Sequence, residues 1–326
     1  MYQSMDDEAF WDQVPAGADF LETLVVQGRE NSMLTSIFAL GDPTDLNTVG
    51  IAVIRNIEPG HFFPRHCHDC ERSEVLVQGS FVDGAGNEYA AGDVMVAHNM
   101  DMYGPHVAGP EGYTVVEFFG SVLGTYELFW ETSRGPKKVN KIEEDARKSG
   151  VLVDGQLDLP VRGRPRPMSD KTVRGATHDS IHNESFWNKV PRPYLQPLVD
   201  GFVNSGYDGM AYTMVALGDP DDPETPAAAV FKAPAGYMLP RHSHDCYRFE
   251  VLLDGSITDE FGIERGVGTV MTASPNEMYG PIVAGPNGYA SVEFFSRLIG
   301  TYEITWDTPR GPWHDNRLLS IAKPAD

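Results

Sequence analysis

The chain has 326 residues, 41% hydrophobic and 22% charged, a soluble globular composition long enough for two domains. Its formal charge of −22 repels phosphate backbones and anionic lipid, which argues against nucleic-acid and membrane-surface binding. No basic n-region leads into an apolar run, no stretch of about 18 apolar residues occurs, and the three cysteines (Cys67, Cys70, Cys246) are too few for a disulfide framework, so the expected location is cytoplasmic.

In chain order, the first half is a series of short β-branched runs bounded by Gly, Asn or Pro: GIAVIRNI (50–57), SEVLVQGSFV (73–82), DVMVAH (93–98) and YTVVEFF (113–119). The stretch 74–96 predicts three successive strands, with bends at Asp83-Gly84 and Ala91-Gly92. Residues 137–183 form a basic connector that carries ten of the 25 Lys and Arg; 139–150 predicts a short helix and RGRPRP (162–167) a proline-stiffened linker. The second half then repeats the first. FWDQVP (10–15) returns as FWNKVP (186–191). PRHCHDCERSEVLVQGS (64–80) returns as PRHSHDCYRFEVLLDGS (240–256), and MYGPHVAGPEGY (102–113) as MYGPIVAGPNGY (278–289). GTYELFWETSRGP (124–136) returns as GTYEITWDTPRGP (300–312). From His66 and His242 onward the offset is a constant 176 residues, a period of whole domains and not of a solenoid. The expected organisation is a domain over 1–136, a connector over 137–183 and a second domain over 184–326. Strands do not alternate with helices, so each domain is expected to be an antiparallel barrel or sandwich.

His66-x-His68 and His242-x-His244 are the sharpest chemical feature. Residues two apart on a strand face the same side, so each pair can present two imidazoles to one metal ion. The pair stands in both copies within the same PRH-x-HDC frame. No G-x-S-x-G, P-loop or G-x-G-x-x-G competes with it.

These residues resemble the cupin superfamily, whose first motif is a glycine, five residues, H-x-H, three or four residues, a glutamate, six residues and a glycine. Gly60, His66-x-His68 and Gly79 follow it, as do Gly236, His242-x-His244 and Gly255. The stretches VLVQGSFVDGAGNEYAAG and VAGPEGYTVVEFF look especially like cupin domains related to the ChrR anti-sigma factor. The resemblance implies an all-β chain of two tandem jelly-roll barrels, a bicupin. It also implies a central divalent metal, with Fe(II) first and Zn, Mn or Ni as alternatives, and a homodimer.

Two departures stand out. The position of the family glutamate is taken by Arg72 and Arg248, and a guanidinium is not an ordinary metal ligand. Glu74 and Glu250 lie two residues further along the same face and become the candidate carboxylate ligands. The arginine would then pair with that glutamate or clamp a substrate carboxylate. The family's last histidine is replaced by Tyr103 and Tyr279, candidates for acid/base work, phenolate ligation or packing. His106 (Ile282 in the second copy) and His98 (Ser274) are candidate third ligands in the first copy alone. Asp69-Cys70 and Asp245-Cys246 offer a thiol beside each pair, although a free cysteine is more often a small buried hydrophobe. Glu117 and Glu293, within VEFF, point either into the barrel or out of it.

The leading expectation is a metal-dependent enzyme acting on a small organic molecule, of the Fe(II) dioxygenase type. Phe62, Phe63, Met102, Phe118 and Phe119 would form an apolar wall or simply pack the core. A lyase or isomerase with Tyr103 or Tyr279 as acid/base is the second reading, and a non-enzymatic ligand-sensing module the third.

Overall fold

The computed structural model describes residues 1–131, 134, 137–140, 176–189 and 210–316. The predicted helix and the RGRPRP linker lie outside these residues, except that 139–140 end a strand, Lys137–Asn140. The chain forms two compact units, one of Ala9–Asp179 and one of Met1–Glu8 with Ser180–Asp326. They are called here the N-terminal and C-terminal barrels.

Each barrel is built from two antiparallel sheets. In the N-terminal barrel the larger sheet runs Thr177–Ser180, Asp93–Ala97, Arg72–Asp83, His106–Phe119, Ile51–Ile57, Met33–Ala39. Phe62–Phe63 and Glu88–Ala90 pair onto its long central strands. The smaller sheet is Lys137–Asn140, Glu127–Trp130, His66–His68. The C-terminal barrel repeats this, with Tyr2–Ser4, Thr269–Ala273, Arg248–Thr258, Ile282–Phe295, Ala227–Ala233 and Ala211–Ala216 in the larger sheet. Its smaller sheet is His242–His244, Glu303–Trp306, Trp313–Asn316. This all-β, two-sheet jelly-roll architecture is the one the sequence resemblance implied.

Period-two alternation decides what each barrel encloses. On strand Arg72–Asp83 the residues Arg72, Glu74 and Leu76 share one face. Leu76 packs with Ile57, Phe81, Ala108, Tyr113 and Val115. Leu252 packs likewise with Phe231, Met271, Tyr279 and Tyr289. A helix absent from the sequence expectations, Glu22–Glu30, lays Val25 and the preceding Leu21 on Ile37, Ile51 and Val53.

The edge strand of each larger sheet comes from the start of the other repeat. Tyr2–Ser4 pairs antiparallel with Thr269–Met271, and Thr177–Ser180 lies beside Asp93–Ala97. Tyr2 and His178 are equivalent at the 176-residue offset, so the exchange is reciprocal. Residues 1–8 therefore group with the C-terminal barrel and residues 177–179 with the N-terminal one.

Thr272 donates to the Met1 carbonyl and Met5 to that of Gly268, which places Gln3 opposite Val270 in a hydrogen-bonded pair. Gln3→Pro removes a ladder donor and is expected to cost about 1 kcal/mol or more locally. Amide exchange at Val270 and Thr272 should quicken while that at Val94 and Val96 in the N-terminal barrel holds. Equal loosening of both barrels would contradict the assignment.

Candidate functional site

The histidine pairs lie on short strands, His66–His68 and His242–His244, whose residues are all buried. Trp130 pairs with His66 and Leu128 with His68 from the neighbouring strand. Trp306 and Ile304 do the same for His242 and His244. The other edge of each first histidine is fixed by a two-way backbone bridge. His66 N donates to Tyr103 O at 3.1 Å and Tyr103 N to His66 O at 3.0 Å; both bonds are 3.0 Å for His242 and Tyr279. MYGP therefore sits against PRH-x-HDC because the two segments are hydrogen-bonded along the barrel wall.

The imidazole centroids of a pair lie 5.5 Å apart in the N-terminal barrel and 5.4 Å apart in the C-terminal one. Tyr103 is 4.5 Å from His66 and 6.2 Å from His68, and Tyr279 is 4.4 Å and 6.4 Å from its pair. Trp130 and Phe119, or Trp306 and Phe295, complete the aromatic surround.

Each imidazole is oriented by a backbone carbonyl. His66 Nδ1 donates to Pro64 O at 2.8 Å and His68 Nδ1 to Gly124 O at 3.3 Å. His242 Nδ1 donates to Pro240 O at 2.7 Å and His244 Nδ1 to Gly300 O at 2.8 Å. A carbonyl only accepts, so Nδ1 carries the hydrogen and Nε2 the lone pair, the tautomer a metal-binding histidine needs. Burial drives the His66 pKa down to about 4 and that of His68 well below the ordinary value. Both imidazoles are therefore neutral at physiological pH.

Below the histidines lies a buried ionic group. Arg72 and Arg248 are each 3% exposed, with Cζ 4.5 Å and 4.7 Å from the Tyr103 and Tyr279 ring centres. Neither arginine is a surface ion-pair residue. Arg72 pairs with Glu74 and with Glu117, while Glu117 also pairs with Arg55. Arg248 Nη2 lies 2.7 Å from Glu250 and 3.0 Å from Glu293. The two glutamates of each barrel face one another across antiparallel strands, a repulsive register that the arginine between them offsets. Burial works against the Glu117 carboxylate, but Arg55 and Arg72 outweigh it and hold its pKa below the usual value. Burial pushes up the pKa of Glu74, and that of Glu293, despite the adjacent arginine.

Several polar atoms in this region have no partner among the described residues. They are the buried Tyr103 and Tyr279 hydroxyls and the Nε and Nη1 of Arg72. Burial raises the pKa of both tyrosines well above the ordinary value, so they remain phenols.

Other candidate residues are engaged elsewhere. His106 Nε2 lies 2.9 Å from Tyr113 Oη, and its ring packs on Phe63 and Phe81. His98 is exposed, with Nδ1 2.7 Å from Glu71. Cys70 and Cys246 pack against Gly124 and Gly300, where a Cβ would approach their sulfurs to 2.5 Å and 2.4 Å. Burial raises both thiols to about 12, so they stay protonated. Of the expected apolar wall, Phe118 and Phe119 are fully buried while Phe62 is 57% exposed. Among the described residues no group of three or more His, Cys, Asp or Glu side chains is arranged to hold a metal. The donor set is thus two oriented imidazoles per barrel, with the carboxylates turned to arginine. It fits a divalent metal as a two-histidine half-site, whose other positions would fall to water, substrate or a carboxylate released from its arginine.

Sequence reasoning passed over Arg55 and the carbonyls of Pro64 and Gly124. Arg55 had a signal: it occupies the inward parity of the apolar run 50–57, two residues from Val53.

Two copies of one jelly roll, each with its histidine pair on the inner wall, fix the architecture. The chain has the bicupin fold. No family model matches the chain, and no curated protein does. Among solved structures, it is similar to oxalate decarboxylase from Bacillus subtilis at 16% identity, over 91% of this chain and 76% of that one, with a TM-score of 0.41. The coconut allergen cocosin is 14% identical over 85% and 84%, TM-score 0.42. A candidate dioxygenase from Nostoc punctiforme is 8% identical over 83% and 76%, TM-score 0.46. These likenesses are distant, and none singles out the ChrR-like subgroup. Among the described residues, no helix is long and apolar enough to cross a membrane.

Proposed function

We propose that the chain is a metal-dependent cupin enzyme acting on a small organic substrate inside the barrel, with Fe(II) dioxygenase-type chemistry as the reaction. The observation that carries this reading is the pair of buried imidazoles held by backbone carbonyls with Nε2 as the lone-pair nitrogen. A bound divalent metal would supply Lewis-acid activation and, as iron, redox chemistry with dioxygen.

The chain's own groups would do the rest. His66 with His68, and His242 with His244, would hold the metal. Trp130, Phe119 and their counterparts would keep water from the reacting atoms. The orphaned N–H groups of Arg72 would donate to a substrate carboxylate or enolate oxygen. The Tyr103 and Tyr279 hydroxyls, protonated and unpartnered, favour a second reading, in which a tyrosine donates a proton in a lyase or isomerase reaction needing no oxygen.

Elemental analysis of purified protein tests the binding step. His66→Ala and His242→Ala should each abolish metal retention in their own barrel, and unchanged metal in both would sink the assignment. Anaerobic reconstitution with Fe(II), followed by oxygen uptake on phenolic and diketone substrates, tests the chemistry. Turnover without oxygen, lost in a Tyr→Phe variant of full metal content, would select the second reading.

A further inference from the structure

The two barrels differ in charge where they are otherwise most alike. Around the N-terminal pair, Arg55 and Arg72 balance Glu74 and Glu117. At the 176-residue offset the place of Arg55 is taken by Phe231, which packs in the core with Leu252 and Tyr279. The adjacent Lys232 does not substitute for it, because its ammonium lies 4.4 Å from the Trp187 ring. Among the described residues Arg248 alone therefore faces Glu250 and Glu293. Its Nη2 lies between the two carboxylates, Nε reaches Glu293 and Nη1 meets only the Met271 sulfur. Arg72, by contrast, leaves Nε and Nη1 without acceptors. Against the same number of carboxyl groups, the C-terminal site thus holds one guanidinium fewer than the N-terminal site. Tyr279, buried and in ring contact with both C-terminal histidines, keeps an unpartnered hydroxyl oxygen there.

We infer that the residue at position 55/231 decides which barrel takes a divalent cation, and that the C-terminal barrel, with Phe231, is the tight site. The inference rests on the metal-binding reading proposed above and adds the asymmetry. A second guanidinium beside the histidines repels an incoming dication and engages a carboxylate that would otherwise turn to it. In a protein interior one unit charge at this range changes a dication's binding constant by about tenfold or more.

The full chain, stripped with chelator and titrated with Co(II), reports the outcome through cobalt retained per chain and the Co(II)–imidazole absorption. The first equivalent should persist in His66→Ala and weaken at least about tenfold in His242→Ala. Arg55→Phe should tighten the second equivalent by a similar factor. Because this variant gains binding, misfolding cannot imitate success, and the side chain of Arg55 is already 20% exposed. First-equivalent loss in His66→Ala, equal affinity of the two sites, or an unmoved second site in Arg55→Phe would each overturn the inference while leaving metal binding intact. Absence of cobalt from the wild-type chain would instead overturn the metal reading, and the inference with it.

Discussion

Replacing Arg248 by methionine is expected to destabilise the metal-free C-terminal barrel by about 3–5 kcal/mol, enough to unfold it locally. Among the described residues Arg248 is the only cation facing Glu250 and Glu293, and its Nη2 hydrogen-bonds or ion-pairs with both. Methionine preserves much of the volume, so the loss is electrostatic: two carboxylates opposite one another remain in a buried site with no counter-charge. The same change at Arg72 should cost less, because Glu117 keeps Arg55. Acidity gives a second readout. Burial already raises the Glu293 pKa, and removing its arginine raises it further. A carboxyl whose folded-state pKa exceeds its unfolded value favours folding below the unfolded pKa, a contribution lost as pH rises through the folded pKa. The Arg248→Met barrel should therefore recover on acidification towards pH 4 to 5, and also on adding Glu250→Gln and Glu293→Gln. Amide exchange mapped onto Arg248–Thr258 and Arg72–Asp83 separates the barrels. Equal losses at Arg248 and Arg72, or no acid rescue, would contradict the charge asymmetry.

That asymmetry shows where sequence was legible and where it stopped. The repeat, the strands and the inward histidine pairs could be read directly, because strand parity and a duplicated motif are properties of the chain itself. Arg72 and Glu74 could be placed on one face for the same reason. Which partner each would choose could not, since that depends on Glu117 arriving from a strand 45 residues away. The phase of VEFF was ambiguous until pairing with Arg72–Asp83 set Glu117 opposite Glu74. The orienting carbonyls of Pro64 and Gly124 were invisible for another reason: every residue has a carbonyl, and only the fold says which one meets an imidazole. The exchanged edge strands were hidden because Tyr2–Ser4 is too short to carry a pattern. Its partner is 267 residues away in register, as in Gln3 with Val270.

The motif glycines support a further prediction, one that separates two roles the sequence treats alike. Gly60 and Gly79 both belong to the cupin-like pattern and both have positive φ, +72° and +73°. A Cβ on Gly60 would meet nothing within 4 Å, whereas one on Gly79 would lie 2.1 Å from the Gly112 carbonyl oxygen and 2.7 Å from the Tyr113 Cα. Gly255 repeats the conflict, at 2.1 Å from Gly288 O, and Gly236 repeats the open space. Gly60→Ala should therefore cost only the left-handed backbone penalty, about 1 kcal/mol. Gly79→Ala adds a clash with backbone that cannot rotate away, bringing the loss to about 2–4 kcal/mol. Urea unfolding of the four alanine variants would show a small and a large shift within each barrel; equal shifts would refute the distinction. Gly79 also sits in the irregular stretch where the pairing of Arg72–Asp83 with His106–Phe119 slips, between Leu76 and Phe81. On one side of that slip Leu76 faces the core and on the other Phe81 does, so the inward parity changes there. The glycine thus lets one long strand supply Arg72 and Glu74 to the site at one end and an aromatic floor of Phe81 and Tyr113 at the other. An alanine that forced the strands apart would disturb both, so in Gly79→Ala the loss of stability should be accompanied by loss of the Arg72–Glu117 pairing, which Gly60→Ala leaves in place.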